Sequence, residues 1–259
     1  MKTNDPLIYE KKVLIRSEQV DMTRRLRMSD LFRLLEEASI AHTEELGCTR
    51  DKTLDRGLLW IITRQLVEID ELPAYDDEII VRSWQGEMQH VFFPRFYEIE
   101  RAGRVLVKGQ ALWMLMKEAD RSMVMPEDYD IFIPGRPNAG DMMLPAIVVP
   151  KGLEAAESVP LVTRFSKVDI NGHMNNTRYF DIIDDMLHAG ASGSNAASDA
   201  GCSGGDAPGQ ARTPKTVLAN YLSELKLDDE FILSQYKDAG TLYFEGTGDK
   251  PYFRVRYEY

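Results

Sequence analysis

VDMTRRLRMSDLFRLLEEA, residues 20–38, can be laid without a gap over VDINGHMNNTRYFDIIDDM, residues 168–186. The alignment pairs Asp21 with Asp169, Phe32 with Phe180, Leu34 with Ile182, Leu35 with Ile183, Glu36 with Asp184 and Glu37 with Asp185. Downstream, DDEIIVRSW from Asp76 lies over DDEFILSQY from Asp228, the offset having grown by only four residues. A repeat on this scale sets the architecture, because each copy is one structural unit used twice. Within the second copy, apolar residues recur at helical spacing at Tyr179, Ile182, Ile183, Met186 and Leu187, which predicts an amphipathic helix.

Outward from each helix the chain alternates or runs apolar and is rich in β-branched and aromatic residues. The first half offers LLWIITRQLVEID, EIIVRSWQGE, HVFFPRFYEIE and RVLVKGQALWMLMK, and the second offers KTVLANYLSELKL, EFILSQYK, TLYFEG and YFRVRYEY. Turn signals such as Glu100-Arg101-Ala102-Gly103 separate them. One helix followed by several short antiparallel strands predicts an α+β fold in which a sheet covers a single helix in each half. The halves are expected at residues 1–130 and 159–259. Residues 126–160 hold six prolines and no clear periodicity, so 131–158 reads as the interdomain connection. The Gly-, Ser- and Ala-rich stretch 189–212 reads as a mobile surface loop, since it cannot bury enough to order itself.

Bulk properties narrow the functional classes. Among 259 residues, 31 Lys and Arg stand against 42 Asp and Glu, and the net charge of −11 disfavours a broad nucleic-acid-binding face. No apolar run is long enough to span or insert into a membrane, and the N-terminal residues carry no secretory signal. Two cysteines, Cys48 and Cys202, make no disulfide framework. A soluble, cytoplasmic protein is the expectation.

The two copies differ where chemistry would be placed. Asn171 and His173 stand where the first copy has Thr23 and Arg25, and Glu224 falls opposite Leu72. If residues 169–173 are extended, Asp169, Asn171 and His173 share one face. Gly172 relaxes the backbone, and Asn175 or Asn176 can cap the following helix, whose free amides suit a developing oxyanion. The same residue types also fit a plain helix start, since Asn-Gly is a turn signal, and Glu224 alone fits a solvated strand position. No second His or Cys lies at zinc-like spacing, the remaining histidines (His42, His90, His188) are scattered, and no Gly-x-Ser-x-Gly elbow occurs. Neither a metal nor a serine nucleophile is expected.

Asp169-Ile-Asn171-Gly-His173-Met-Asn175-Asn176, Tyr179 in the helix and Tyr221-Leu-Ser-Glu224 together resemble the acyl-acyl carrier protein (ACP) thioesterases of plants and bacteria. The resemblance continues through the first helix up to Gly47, LLWIITRQLVEID and ALWMLMKEADRSM, and so spans nearly the whole chain. It implies a double hot-dog fold with one active site, formed mainly by the C-terminal copy. It also implies hydrolysis of the thioester between a fatty acyl chain and the phosphopantetheine of the carrier protein, with no cofactor of its own. Carried over, the catalytic residues are Asp169, Asn171, His173 and Glu224. A cysteine that follows the glutamate in many plant members is Leu225 here, which removes a cysteine mechanism at that place. The first copy would line the acyl pocket, with Leu31, Leu34, Leu35, Trp60 and the methionines of 112–116 as candidates. The acidic carrier protein would dock on a basic patch, either Arg24, Arg25 and Arg27 or Arg101 with Arg104. An acyl-coenzyme A thioesterase, a non-catalytic acyl-binding protein and, more remotely, a dehydratase are the alternatives on this scaffold. Monomer and homodimer both stay open.

Overall fold

The computed structural model describes residues 5–137, 139, 142, 144–189 and 212–259. The first copy contributes β1 (Tyr9–Leu14), α1 (Met28–Glu45), β2 (Leu58–Ile69), β3 (Glu78–Gln85), β4 (Phe92–Arg101) and β5 (Arg104–Lys117). The second contributes β6 (Glu157–Val162), α2 (Arg178–Leu187), β7 (Thr216–Tyr221), β8 (Glu230–Asp238), β9 (Thr241–Thr247) and β10 (Pro251–Glu258). All ten strands form one antiparallel sheet in the order β1-β3-β4-β5-β2-β7-β10-β9-β8-β6. That order reads the same from either end once the copies are matched, so the duplication in the sequence is a twofold repeat in space.

The repeat reaches down to single dihedrals. Arg24 (φ 64°) and Gly172 (φ 78°) occupy the same left-handed position in the turn before each helix, and Asp76 (φ 70°) and Asp228 (φ 66°) match before β3 and β8. Single-residue bridges also match, Arg25 pairing with Ala74 as His173 pairs with Lys226. The copies meet where β2 pairs β7, from Arg64 opposite Asn220 to Glu68 opposite Thr216. Above that seam the helices touch through the matched pair Phe32 and Phe180, stacked with ring centroids 3.9 Å apart and essentially fully buried. The two helices therefore share one sheet, and a single hydrophobic core runs through both copies.

Described residues of the proline-rich connection are anchored on the sheet. Met142 and Leu144 pack on Leu112, with Leu66, Phe92 and Phe96 alongside. Asn220 Oδ1 accepts the Ile147 amide at 2.5 Å. The loop expected at 189–212 lies almost entirely outside the described residues. Among the described residues no helix is long and apolar enough to cross a membrane.

Candidate active site

The stretch before α2 is a tight turn, which corrects the extended reading. Asp169 N donates to His173 O at 2.9 Å, Gly172 N donates to Asp169 O at 3.1 Å, and Asp169 Oδ1 accepts the Asn171 amide at 2.8 Å. Gly172 at positive φ closes it. Asp169, Asn171 and His173 consequently do not line up on one face: Asn171 is exposed, Asp169 half-buried, and the His173 side chain 13% exposed. The first copy builds the same turn, with Asp21 Oδ1 accepting from Thr23 N at 2.7 Å and Arg25 N at 3.2 Å. An aspartate at this place is thus accounted for by the turn alone, whereas Asn171 and His173 are not.

Glu224 arrives by the matched bridge. β7 ends at Tyr221, so Glu224 sits in the irregular segment beyond it and not in a strand. His173 pairs with Lys226 and Met174 N donates to Leu225 O at 2.7 Å, which pins that segment against the turn. His173 Nε2 then lies 3.0 Å from Glu224 Oε2. In the first copy the corresponding position is Leu72, whose carbonyl accepts from Arg25 at 3.2 Å.

A third residue completes the cluster and was not singled out from the sequence. Arg121, from the loop after β5 and at φ 59°, places Nε 3.1 Å from the Glu224 carboxylate and a terminal nitrogen 3.1 Å from His173 Nε2. Its other terminal nitrogen donates to Glu118 O at 2.7 Å. Burial holds the His173 imidazole below its ordinary pKa, the Arg121 charge adds to this, and Glu224 opposes it. One Nε2 either donates to Glu224 or accepts from Arg121, so the three groups act as one coupled unit.

Asn175 organises the start of α2. Its Oδ1 accepts from Thr177 N at 3.0 Å and from Thr177 Oγ1 at 2.6 Å, while its side-chain nitrogen reaches Asp169 Oδ2 at 3.5 Å. The amides of Met174, Asn175, Thr177 and Arg178 are all taken up by Leu225 O, Lys167 O, Asn175 Oδ1 and Asn175 O. These four amides at the helix start are thereby engaged. Asn175 also acts on Glu36 of α1, whose carboxyl is pushed up to about 7 by burial, with the Asp169 and Glu37 charges adding and Asn175 opposing. Glu36 thus brings the first copy into the site. Its matched residue Asp184 is likewise pushed up to about 7, mainly by burial.

Beside the turn opens a cavity of about 310 Å³, and Ile170 and Asn171 form part of its wall. Most of the wall comes from the first copy: Ile40 and Thr43 of α1, Leu58, Leu59 and Trp60 of β2, and Phe93, Arg95 and Trp113 of the sheet. Trp60 was among the expected lining residues. Leu31, Leu34 and Leu35 are buried core residues and are not part of this wall, and neither are Met114 and Met116. Of the two basic patches, Arg101 and Arg104 are occupied by Asp77, Glu71 and Asp70, and Arg25 lies 3.5 Å from Glu71. Among the described residues no cluster of three or more His, Cys, Asp or Glu side chains is arranged to hold a metal ion.

With this geometry in place, comparison with known proteins is decisive for the family. The profile of the acyl-ACP thioesterase N-terminal domain matches residues 6–131, and that of the C-terminal domain matches residues 151–196. The chain belongs to the acyl-ACP thioesterase family. One relative, a chloroplastic acyl-[acyl-carrier-protein] hydrolase of Cuphea viscosissima, is 24% identical over 190 residues, covering 68% of this chain and 46% of the relative. The chain spans about half the length of the curated relatives it matches. Among solved structures, an acyl-ACP thioesterase from Bacteroides thetaiotaomicron superposes with a TM-score of 0.74 at 19% identity, covering 97% of each chain. A 12:0-ACP thioesterase from Umbellularia californica gives 0.73 at 17% identity, covering 97% of this chain and 96% of its own. These likenesses establish the α+β double hot-dog fold for this member of the acyl-ACP thioesterase family.

Proposed function

We propose that this acyl-ACP thioesterase family member hydrolyses the thioester of a fatty acyl chain carried by an acidic acyl carrier protein and releases the free fatty acid. The observation that carries the reading is the 3.0 Å approach of His173 Nε2 to Glu224 Oε2, next to a turn whose Asn171 belongs to the cavity wall. The chain would lie in the cavity with its thioester at Asn171. The Glu224–His173 unit takes a proton from water, and the resulting hydroxide attacks the carbonyl carbon. The Asn171 side-chain amide polarises the carbonyl oxygen. Collapse of the tetrahedral intermediate expels the thiolate, whose intrinsic pKa of about 8.5 makes it a good leaving group, and the proton held by Glu224–His173 returns to it. Arg121 pairs with the Glu224 carboxylate and disfavours a second positive charge on His173. Asp169 holds the turn.

The test is thiol release from an acyl-ACP and from the acyl-coenzyme A of the same chain. Faster turnover of the carrier-protein substrate supports the carrier assignment, and equal or faster turnover of the coenzyme A thioester overturns it. His173→Ala and Glu224→Gln should each lose about 10² to 10³ in kcat/KM while remaining folded, a loss typical of removing one group that acts in the transition state. Full activity in either variant would sink the catalytic assignment.

A further inference from the structure

The cavity wall includes a buried charge that a saturated hydrocarbon chain does not answer. Arg95 of β4 is 2% exposed, yet it forms part of the cavity wall. Its three side-chain contacts are all neutral: His42 Nδ1 at 2.8 Å, Thr43 Oγ1 at 2.7 Å and Ser83 Oγ at 3.5 Å. Among the described residues no carboxylate forms an ion pair with it, in contrast to Arg82 and Arg101, which have two each, and Arg254, which has one. A guanidinium has five N–H donors, so donors remain unspent after these contacts. A buried cation left in this condition is strongly unfavourable unless something supplies oxygen lone pairs.

The surroundings point the same way. Gln85 of β3 is the register partner of Arg95, is 2% exposed, lines the same cavity, and has a side-chain nitrogen with no hydrogen-bond partner. Thr43 and Ser39 of α1 add hydroxyls to the same wall. The wall also holds Glu36, Glu44 and Arg50, with Leu58, Leu59, Trp60 and Phe93 among its apolar members. Two adjacent buried donors in a wall that also offers Leu58, Leu59, Trp60 and Phe93 suit a chain that carries an oxygen acceptor at one place.

We propose that Arg95 and Gln85 form a polar subsite that selects fatty acyl chains bearing a hydrogen-bond-accepting oxygen, a hydroxyl or a terminal carboxylate, over the unsubstituted chain of the same length. The inference rests on the acyl-binding part of the function proposed above and adds the substrate class. Trp60 and Trp113 line the cavity, so occupancy is read from their fluorescence without any turnover. The experiment titrates the purified full chain with dodecanoate, with dodecanoates hydroxylated at carbon 3, 8 or 12, and with dodecanedioate. At least one oxygenated acid is expected to bind about tenfold or more tighter than dodecanoate, the scale of a hydrogen bond to a charged group. Arg95→Met and Gln85→Leu should each bring that ratio towards one. If Arg95→Met does not fold, as judged by circular dichroism, Gln85→Leu carries the test. Equal affinities across the series, or a preference that survives in the folded variants, overturn the subsite. Either result leaves the hydrolytic reading to be judged on thiol release alone, so the two failures are distinguishable.

Discussion

Replacing Arg121 with Met removes the cation that touches both Glu224 and His173 while keeping an unbranched apolar stem. At 3.1 Å, a unit charge acts on a protonated imidazole with about 1.3 kcal/mol in a water-like dielectric and about 5 kcal/mol at an effective dielectric of about 20. The Arg121 side chain is 34% exposed, so screening keeps the effect near the lower end, at about 1.5 to 2.5 kcal/mol. At about 1.4 kcal/mol per factor of ten, the protonation equilibrium of His173 should move by about ten- to sixty-fold towards the charged form. The sign follows from its surroundings: burial and Arg121 hold it down, Glu224 pulls it up, and only a depressing influence is lost. Proton NMR titration of the imidazole Cε1 proton reads this directly, with His173→Gln identifying the resonance among the four histidines. The acidic limb of the kcat/KM profile should move to higher pH in step. Glu224→Gln should move the same resonance the other way, because it removes the influence that favours the charged imidazole. A His173 pKa that stays put or falls in Arg121→Met refutes the coupling.

Other outcomes follow from single contacts. Glu36 ionises at about 7 in the folded protein against 4.5 in water, so ionising it there costs about 3 kcal/mol; stability from this group is full below pH 4.5 and is lost as pH rises through 7. Glu36→Gln should therefore raise denaturant stability at pH 8 by up to about 3 kcal/mol and leave it nearly unchanged at pH 4. His42, pushed down to about 4 by burial and the Arg95 charge, works in the opposite sense: its unfolded form takes up a proton near pH 6.5, so stability falls as pH drops from there to 4. Urea midpoints of His42→Gln against wild type should diverge over that interval. Phe180→Ala, which opens a hole opposite Phe32, should cost about 3 to 5 kcal/mol by chemical denaturation. Gly172→Ala should cost about 1 to 2 kcal/mol through its φ of 78° alone, since a Cβ there meets nothing within 4 Å. Because Arg104 is held by Asp70 and Glu71, Arg104→Ala should change turnover of an acyl-ACP by less than about twofold at physiological salt.

Much of this was legible before any coordinates because the chain carries its own comparison. Phe32 and Phe180 were matched in the repeat, though not as a contact, and Thr23 and Arg25 against Asn171 and His173 marked the copy that differs. Glu224 was found because the matched register gave Leu72 in its place, and the bridge from His173 to Lys226 is what that register means in space. The shape of residues 169–173 was misread as extended, because alternation of polar residues was weighed above the left-handed freedom of Gly172. Arg121 escaped notice since nothing in EADRSM distinguishes it from a solvated loop arginine; only the path of the loop after β5 carries it across to the second copy. Arg95 sits at an inward position of an alternating strand, where a charged residue is out of pattern, and that misfit was the one signal available for it.

The seam between β2 and β7 has a practical corollary. Severing the backbone within the proline-rich connection would leave two fragments, each presenting a raw strand edge and half of the Phe32–Phe180 stack. Such fragments have a ready template in each other, and in copies of themselves. Mixed in equal amounts they should re-form the catalytic assembly, since Arg121 resides on one fragment and His173 with Glu224 on the other, which makes recovery of activity a reporter of whether the right halves have met.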